Sequence, residues 1–120
     1  MHADHFEVRL ARVRHRFATT LESKITDAVV SADHMTNGDN GVIEYISNSY
    51  RHLHGICGIG PSVGFTATGA AARTAEVALM QAHHDKRGLT EREVLNLKKA
   101  LENLRVAAAS ELRMMYQRGG

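Results

Sequence analysis

A chain of 120 residues with 43% hydrophobic and 23% charged residues has the size and composition of one folded domain, which excludes a disordered chain. No apolar run approaches the roughly eighteen residues of a membrane span, the N-terminus lacks a signal-peptide pattern, and the single cysteine cannot form an internal disulfide, so we expect a cytoplasmic protein. The net charge of +2 is too small to indicate nucleic-acid binding, and the arginines between positions 9 and 16 are interpreted as a solvated helix face.

The first predicted element is helical and extends from about Asp4 to Ala32. Its apolar residues recur at spacings of three and four, the signature of one buried stripe: Phe6, Leu10, Val13, Phe17, Leu21, Ile25 and Ala28. The pattern fits either one long helix or a short extra N-terminal helix joined to a longer one. The segment 33–41 then carries turn-forming Asn, Asp and Gly residues, and Asp39 or Asn40 is the expected N-cap of the next helix.

The second and third predicted helices flank a glycine-rich break. The second begins near Val42 and is expected to bend or end at Pro61, because proline lacks an N–H and clashes with the preceding turn. The third runs from Phe65 to about His84 and is rich in alanine, which allows a neighbouring helix to approach closely.

The fourth predicted helix has a clear start signal, because Thr90 and Glu93 have the spacing of a capping box. The residues that follow give a fourth apolar stripe: Val94, Leu97, Leu101, Leu104, Ala108, Leu112 and Met115. Four amphipathic helices with short connections pack most simply as an antiparallel four-helix bundle. We therefore expect an all-α fold in a single domain spanning residues 1–120.

The stretch from His54 to Phe65 departs from this ordinary helical pattern, because it places four glycines in a helical region: Gly55, Gly58, Gly60 and Gly64. Glycine inside a helix costs about 1 kcal/mol relative to alanine, so another molecule or helix is expected to approach this surface. A histidine, a glycine four residues later, a second glycine six residues beyond it, and Glu76 on an alanine-rich helix form one pattern. This pattern resembles the histidine-containing phosphotransfer (HPt) domain of two-component phosphorelays.

The resemblance implies that His54 is the phospho-acceptor. It would take a phosphoryl group from, or pass it to, the aspartate of a receiver domain in a response regulator or a hybrid histidine kinase. The residues implied to support the phosphoryl group or the partner's approach are Arg51, Gly55, Cys57, Gly58 and Gly64. The chemistry agrees, since neutral imidazole is a suitable nucleophile and Gly58, one helical turn from His54, has no side chain to obstruct the ring.

Two features of the sequence bear on this assignment. The family's usual lysine three residues after the histidine is Cys57 here, and Arg51 is the expected substitute for the missing cation. A competing register places Arg51 at the reactive position and would make the chain an inactive member. In that register the second glycine would fall on Pro61, whereas His54 as the anchor places it on Gly64, which favours His54.

Further expectations concern cofactors and partners. The sequence has no phosphate-binding loop and no kinase signature, so no ATP-dependent kinase activity and no cofactor are expected, and any Mg²⁺ would belong to the receiver. The paired histidines at 52/54 and 83/84 diverge on a helix, so no metal site is expected. We expect a monomer with no nucleic-acid or membrane partner. The alternative function is a degenerate HPt-like bundle that docks on a receiver or another partner without phosphotransfer.

Overall fold

The computed structural model describes residues 3–118, in which four α-helices and one short 3₁₀ helix account for the regular structure. The four α-helices are α1 (Ala3–Ala32), α2 (Val42–Ile59), α3 (Thr66–Asp85) and α4 (Glu91–Gln117), and the 3₁₀ helix is Gly60–Val63. The predicted all-α class is confirmed. The first segment is one continuous helix, so the short extra N-terminal helix that the sequence left open does not form.

The helices pack as a four-membered ring, in which α1 contacts α2 and α4, and α3 also contacts α2 and α4. Contacts between distant residues show that sequential helices run in opposite directions. At one end Leu89 donates from its backbone N–H to the carbonyl of Met35 (2.7 Å), and at the other Thr68 donates to Glu111 (2.7 Å). This arrangement is a four-helix bundle, in which α1 and α3 lie across the core from each other, as do α2 and α4.

The core is built from the predicted stripes except at the start of α1, where Phe6 and Val13 are exposed instead of buried. Buried leucines come from all four helices: Leu21, Leu53, Leu79 and Leu104. The buried alanines of α3 have small side chains, so the neighbouring helices pack closely against it. At the end that contains the 3₁₀ helix, the rings of Phe17 and Phe65 pack 5.1 Å apart and close the core.

The two loops at the opposite end are pinned to each other. Gly88 donates from its backbone N–H to the side-chain oxygen of Asn37 (2.7 Å), and a Cβ at Gly88 would lie 2.5 Å from the Asn37 nitrogen. The expectation that Asp39 or Asn40 caps α2 is wrong. Gly41, with a φ of 71°, occupies the N-cap position without a side-chain bond, and Asp39 instead accepts hydrogen bonds from Thr36.

The α2–α3 and α3–α4 connections follow the sequence closely. The helix α2 ends just before Pro61, as predicted, and Gly64 adopts a φ of 94° that lets the chain turn into α3. The predicted capping box is confirmed, since Thr90 and Glu93 each accept the other's backbone N–H.

Candidate functional site

His54 lies on α2 at the edge that faces α3. Its neighbours Leu53 and Ile56 point into the core, so the helix rotation places the His54 ring at the boundary between the core and solvent. The side chain is 68% exposed, and its Nδ1 lies 2.5 Å from Oε2 of Glu76 on α3. The ring is therefore fixed at one nitrogen and accessible at the other.

Glu76 is fully buried, with none of its surface exposed to solvent. Its Oε2 contacts His54, and its Oε1 accepts a hydrogen bond of 3.0 Å from the guanidinium of Arg73 one turn earlier on α3. An isolated buried carboxylate is strongly unfavourable, because it loses its hydration. Here each oxygen has a partner, and the Arg73 cation balances the charge.

The contact with Glu76 fixes where the His54 ring carries its proton. With Glu76 ionised beside the Arg73 guanidinium, its carboxylate only accepts hydrogen bonds, so the Nδ1–H of His54 donates to Oε2. In the neutral ring this leaves the lone pair on Nε2, the nitrogen on the exposed side. The arrangement prepares His54 to act as a nucleophile through Nε2.

Aromatic stacking holds the ring from the side. The ring of Tyr50, one turn before His54 on α2, is parallel to His54 within 7° at a centroid distance of 6.2 Å. Tyr50 also stacks on His83 of α3 at 4.3 Å. The pattern of the sequence did not indicate this row of three rings, because His83 is 29 residues away from His54 along the chain.

Of the four glycines in the central stretch, the fold requires two, Gly60 and Gly64, and does not require the other two, Gly55 and Gly58. A Cβ at Gly60 would lie 3.1 Å from a backbone oxygen, so this glycine serves the close packing of the α2–α3 junction. A Cβ at Gly55 or Gly58 would meet nothing within 4 Å, so the fold itself does not require glycine at these positions. Gly64 is needed for its positive φ. Packing within the protein therefore gives no reason for the absence of side chains at Gly55 and Gly58 beside His54.

The remaining predicted site residues take different positions. Arg51 is exposed and donates a hydrogen bond to Asn48, one turn earlier on its own helix. Cys57 is partly buried and packs against the core. The guanidinium that contacts the carboxylate holding His54 belongs to Arg73, a residue that sequence reasoning missed. Its spacing of three residues before Glu76 on a predicted helix was the available signal.

Within residues 3–118, no helix is long and apolar enough to cross a membrane, and no three histidine, cysteine, aspartate or glutamate side chains converge as metal ligands would. No family model, curated protein or solved structure matches the chain. The resemblance to HPt domains stays a prediction from the motif, and the geometry around His54 carries the functional argument.

Proposed function

We propose that this protein is a phosphorelay intermediate that accepts a phosphoryl group on Nε2 of His54 from the aspartyl phosphate of a receiver domain, or returns it to one. The observation that carries the proposal is the contact between His54 Nδ1 and the buried Glu76 carboxylate, which leaves the exposed Nε2 with the lone pair.

The transfer step uses these groups directly. The Nε2 lone pair attacks the phosphorus of the aspartyl phosphate, an N–P bond forms, and the P–O bond breaks with its electron pair leaving on the receiver's carboxylate. The proton stays on Nδ1, where Glu76 stabilises the positive charge that develops on the ring. The reverse step returns the phosphoryl group along the same path.

Arg73 is the cation best placed to assist. One of its five N–H donors bonds to Glu76, and its side chain is 56% exposed, so the guanidinium retains donors for phosphoryl oxygens. This role replaces the lysine that the family has at the position of Cys57. The role expected of Arg51 stays a prediction.

The open surface at Gly55 and Gly58 supports access by a protein partner. A receiver must bring its active site within bonding distance of the His54 ring, and a side chain one turn away on the same face would obstruct it. The partner supplies any Mg²⁺ through its own carboxylates. The expected cytoplasmic location and monomeric state are part of this proposal.

Two phosphoryl donors test the proposal. Phosphoramidate, a small P–N compound, reports the reactivity of the histidine alone, and a panel of receiver domains phosphorylated on aspartate reports relay. We expect acid-labile label on the wild-type protein from both donors. Label should be absent from His54→Gln and retained in His52→Gln, the matched control two residues away.

The outcomes separate the proposed function from its alternative. Label that survives in His54→Gln would place the reactive group elsewhere and overturn the site. A receiver that binds equally well to wild type and His54→Ala, with no label from either donor, would indicate the degenerate docking bundle instead.

A further inference from the structure

The N-terminal part of α1 projects beyond the rest of the bundle. Arg14 lines the same cavity as Arg118, which immediately follows α4, so the residues of α1 that precede Arg14 extend past that end by roughly 10–15 Å. Residues 5–9 are all exposed. We name this region, residues 5–17 together with 110–118, the α1/α4 end.

The apolar stripe of α1 continues onto this projection, where Leu10 still packs against the core. Phe17 is buried in the core, whereas Phe6 and Val13 on the same helical face are 65% and 43% exposed. Met114 at the end of α4 is 46% exposed. Met114 lines a cavity of about 340 Å³ together with Arg14, Phe65 and Met115. Exposed apolar residues on one helix face, as at Phe6 and Val13, are typical of an interaction surface.

The α1/α4 end carries more positive charge than the rest of the protein. It holds six arginines (Arg9, Arg12, Arg14, Arg16, Arg113 and Arg118) against the two acidic residues Glu7 and Glu111, a net charge of +4, whereas the whole chain carries +2. The rest of the protein is therefore net negative. The Glu111 carboxylate is already hydrogen-bonded within the protein, because it accepts the backbone N–H groups at the start of α3. A partner for this surface needs negative charge around apolar anchors.

We infer that the α1/α4 end binds an acidic amphipathic helix of a partner protein. Such a helix would lie along α1 past the end of the bundle, placing apolar residues at i, i+3, i+4 and i+7 against Phe6 and Val13. A second copy of this chain would bring two surfaces of charge +4 together. The phosphate backbone of a nucleic acid has no group to cover the apolar stripe.

The surface and His54 lie on different edges of the bundle. His54 and Glu76 belong to the α2–α3 edge, and the α1/α4 end belongs to the pair of helices across the core. A bound helix therefore leaves His54 open. The inference does not depend on the proposed function, since it uses neither His54 nor the Glu76 and Arg73 side chains beside it.

A displayed library of random peptides of about 20 residues, enough for five helical turns, tests the inference with the full chain as bait. We expect recovered peptides to be rich in Asp and Glu, with apolar residues at helical spacing. The affinity of the best peptide should fall about tenfold in Phe6→Ser, an exposed position whose loss leaves the fold intact, and should not change in Val77→Ser, an exposed apolar control on α3. Raising the salt concentration from about 50 to about 300 mM should also weaken binding.

Other results would overturn the inference. These are peptides without acidic or helical character, scrambled acidic peptides that bind equally well, or recovery that is unchanged in Phe6→Ser. Dimerisation of the free protein that Phe6→Ser abolishes would assign the surface to a second copy. Binding to vesicles containing phosphatidylserine, with no peptide recovered, would assign it to a membrane.

Discussion

The substitution Glu76→Gln tests the geometry of the site most directly, because it changes one oxygen to an NH₂ group and keeps the shape. Arg73 only donates hydrogen bonds, so the amide oxygen must take the Oε1 position that faces it. The NH₂ group then faces Nδ1 of His54 and donates to it. We expect the ring proton to move from Nδ1 to Nε2, which removes the lone pair that the proposed chemistry needs.

The magnitude follows from what must be broken to recover the reactive form. Turning the amide around would place its NH₂ against the guanidinium and lose a hydrogen bond to a charged group, at about 1.5–3 kcal/mol. This corresponds to a labelling rate that is lower by roughly 10- to 150-fold. Arg73→Ala frees the amide to turn, so the loss of labelling rate caused by Glu76→Gln should be smaller in the Arg73→Ala background than in the wild type.

Two measurements check this prediction. The nitrogen chemical shifts of the His54 ring in NMR spectra report which nitrogen holds the proton, and phosphoramidate labelling gives the rate. Glu102→Gln, an exposed glutamate on α4, is the matched control for the change of charge. The reasoning is refuted if Glu76→Gln keeps the proton on Nδ1, or if Glu76→Gln lowers the labelling rate by the same factor in the Arg73→Ala background as in the wild type.

Three further predictions concern access, acid stability and packing. Gly58→Leu fills open space, so labelling by phosphoramidate should stay within about twofold while transfer from a receiver falls by about tenfold or more; equal losses with both donors would contradict a steric role. Arg87 lowers the pKa of Glu93 to about 2 chiefly through a side-chain hydrogen bond, so this contact stabilises the fold above pH 4.5, the usual pKa of the carboxyl, and is lost as the pH falls towards 2. In urea unfolding, Glu93→Gln should lower the free energy of unfolding by about 1–2 kcal/mol near neutral pH and by much less in acid, and a constant difference would disprove the assignment. Gly88→Ala should cost about 1–3 kcal/mol by the same measurement because its Cβ would meet the α1–α2 loop, whereas Gly55→Ala, whose Cβ meets nothing inside helix α2, should raise the free energy of unfolding by up to about 1 kcal/mol.

Much of the fold was predictable because its signals are local. The capping box of Thr90 and Glu93 and the missing N–H of Pro61 act within one turn of the chain, and the structure has both boundaries where these residues put them. The cap of α2 was wrong for a physical reason. The Asp39 carboxylate accepts the backbone N–H and the hydroxyl of Thr36, and Gly41 takes the N-cap position of α2 with a positive φ.

The site was predictable only in part. The spacing of His54 and the glycines indicated a reactive histidine on an open surface, and Glu76 was part of the motif without an assigned role. That Glu76 is buried, contacts Nδ1 and is shared with Arg73 depends on how α2 and α3 are rotated about their axes. A periodicity of 3.6 residues gives the buried face of each helix but not the pairing of residues across the interface.

The sequence by itself determined four amphipathic helices, their boundaries, and which histidine stands among the glycines, because helix periodicity, caps and breakers act between residues a few positions apart. The tertiary structure alone decided that Arg73 and not Arg51 contacts the carboxylate beside His54, and that the apolar stripe of α1 runs past the end of its neighbours. Both depend on the packing of whole helices, which joins residues 22 positions apart in the case of His54 and Glu76. The buried carboxylate thereby leaves the lone pair on the exposed Nε2 of the ring.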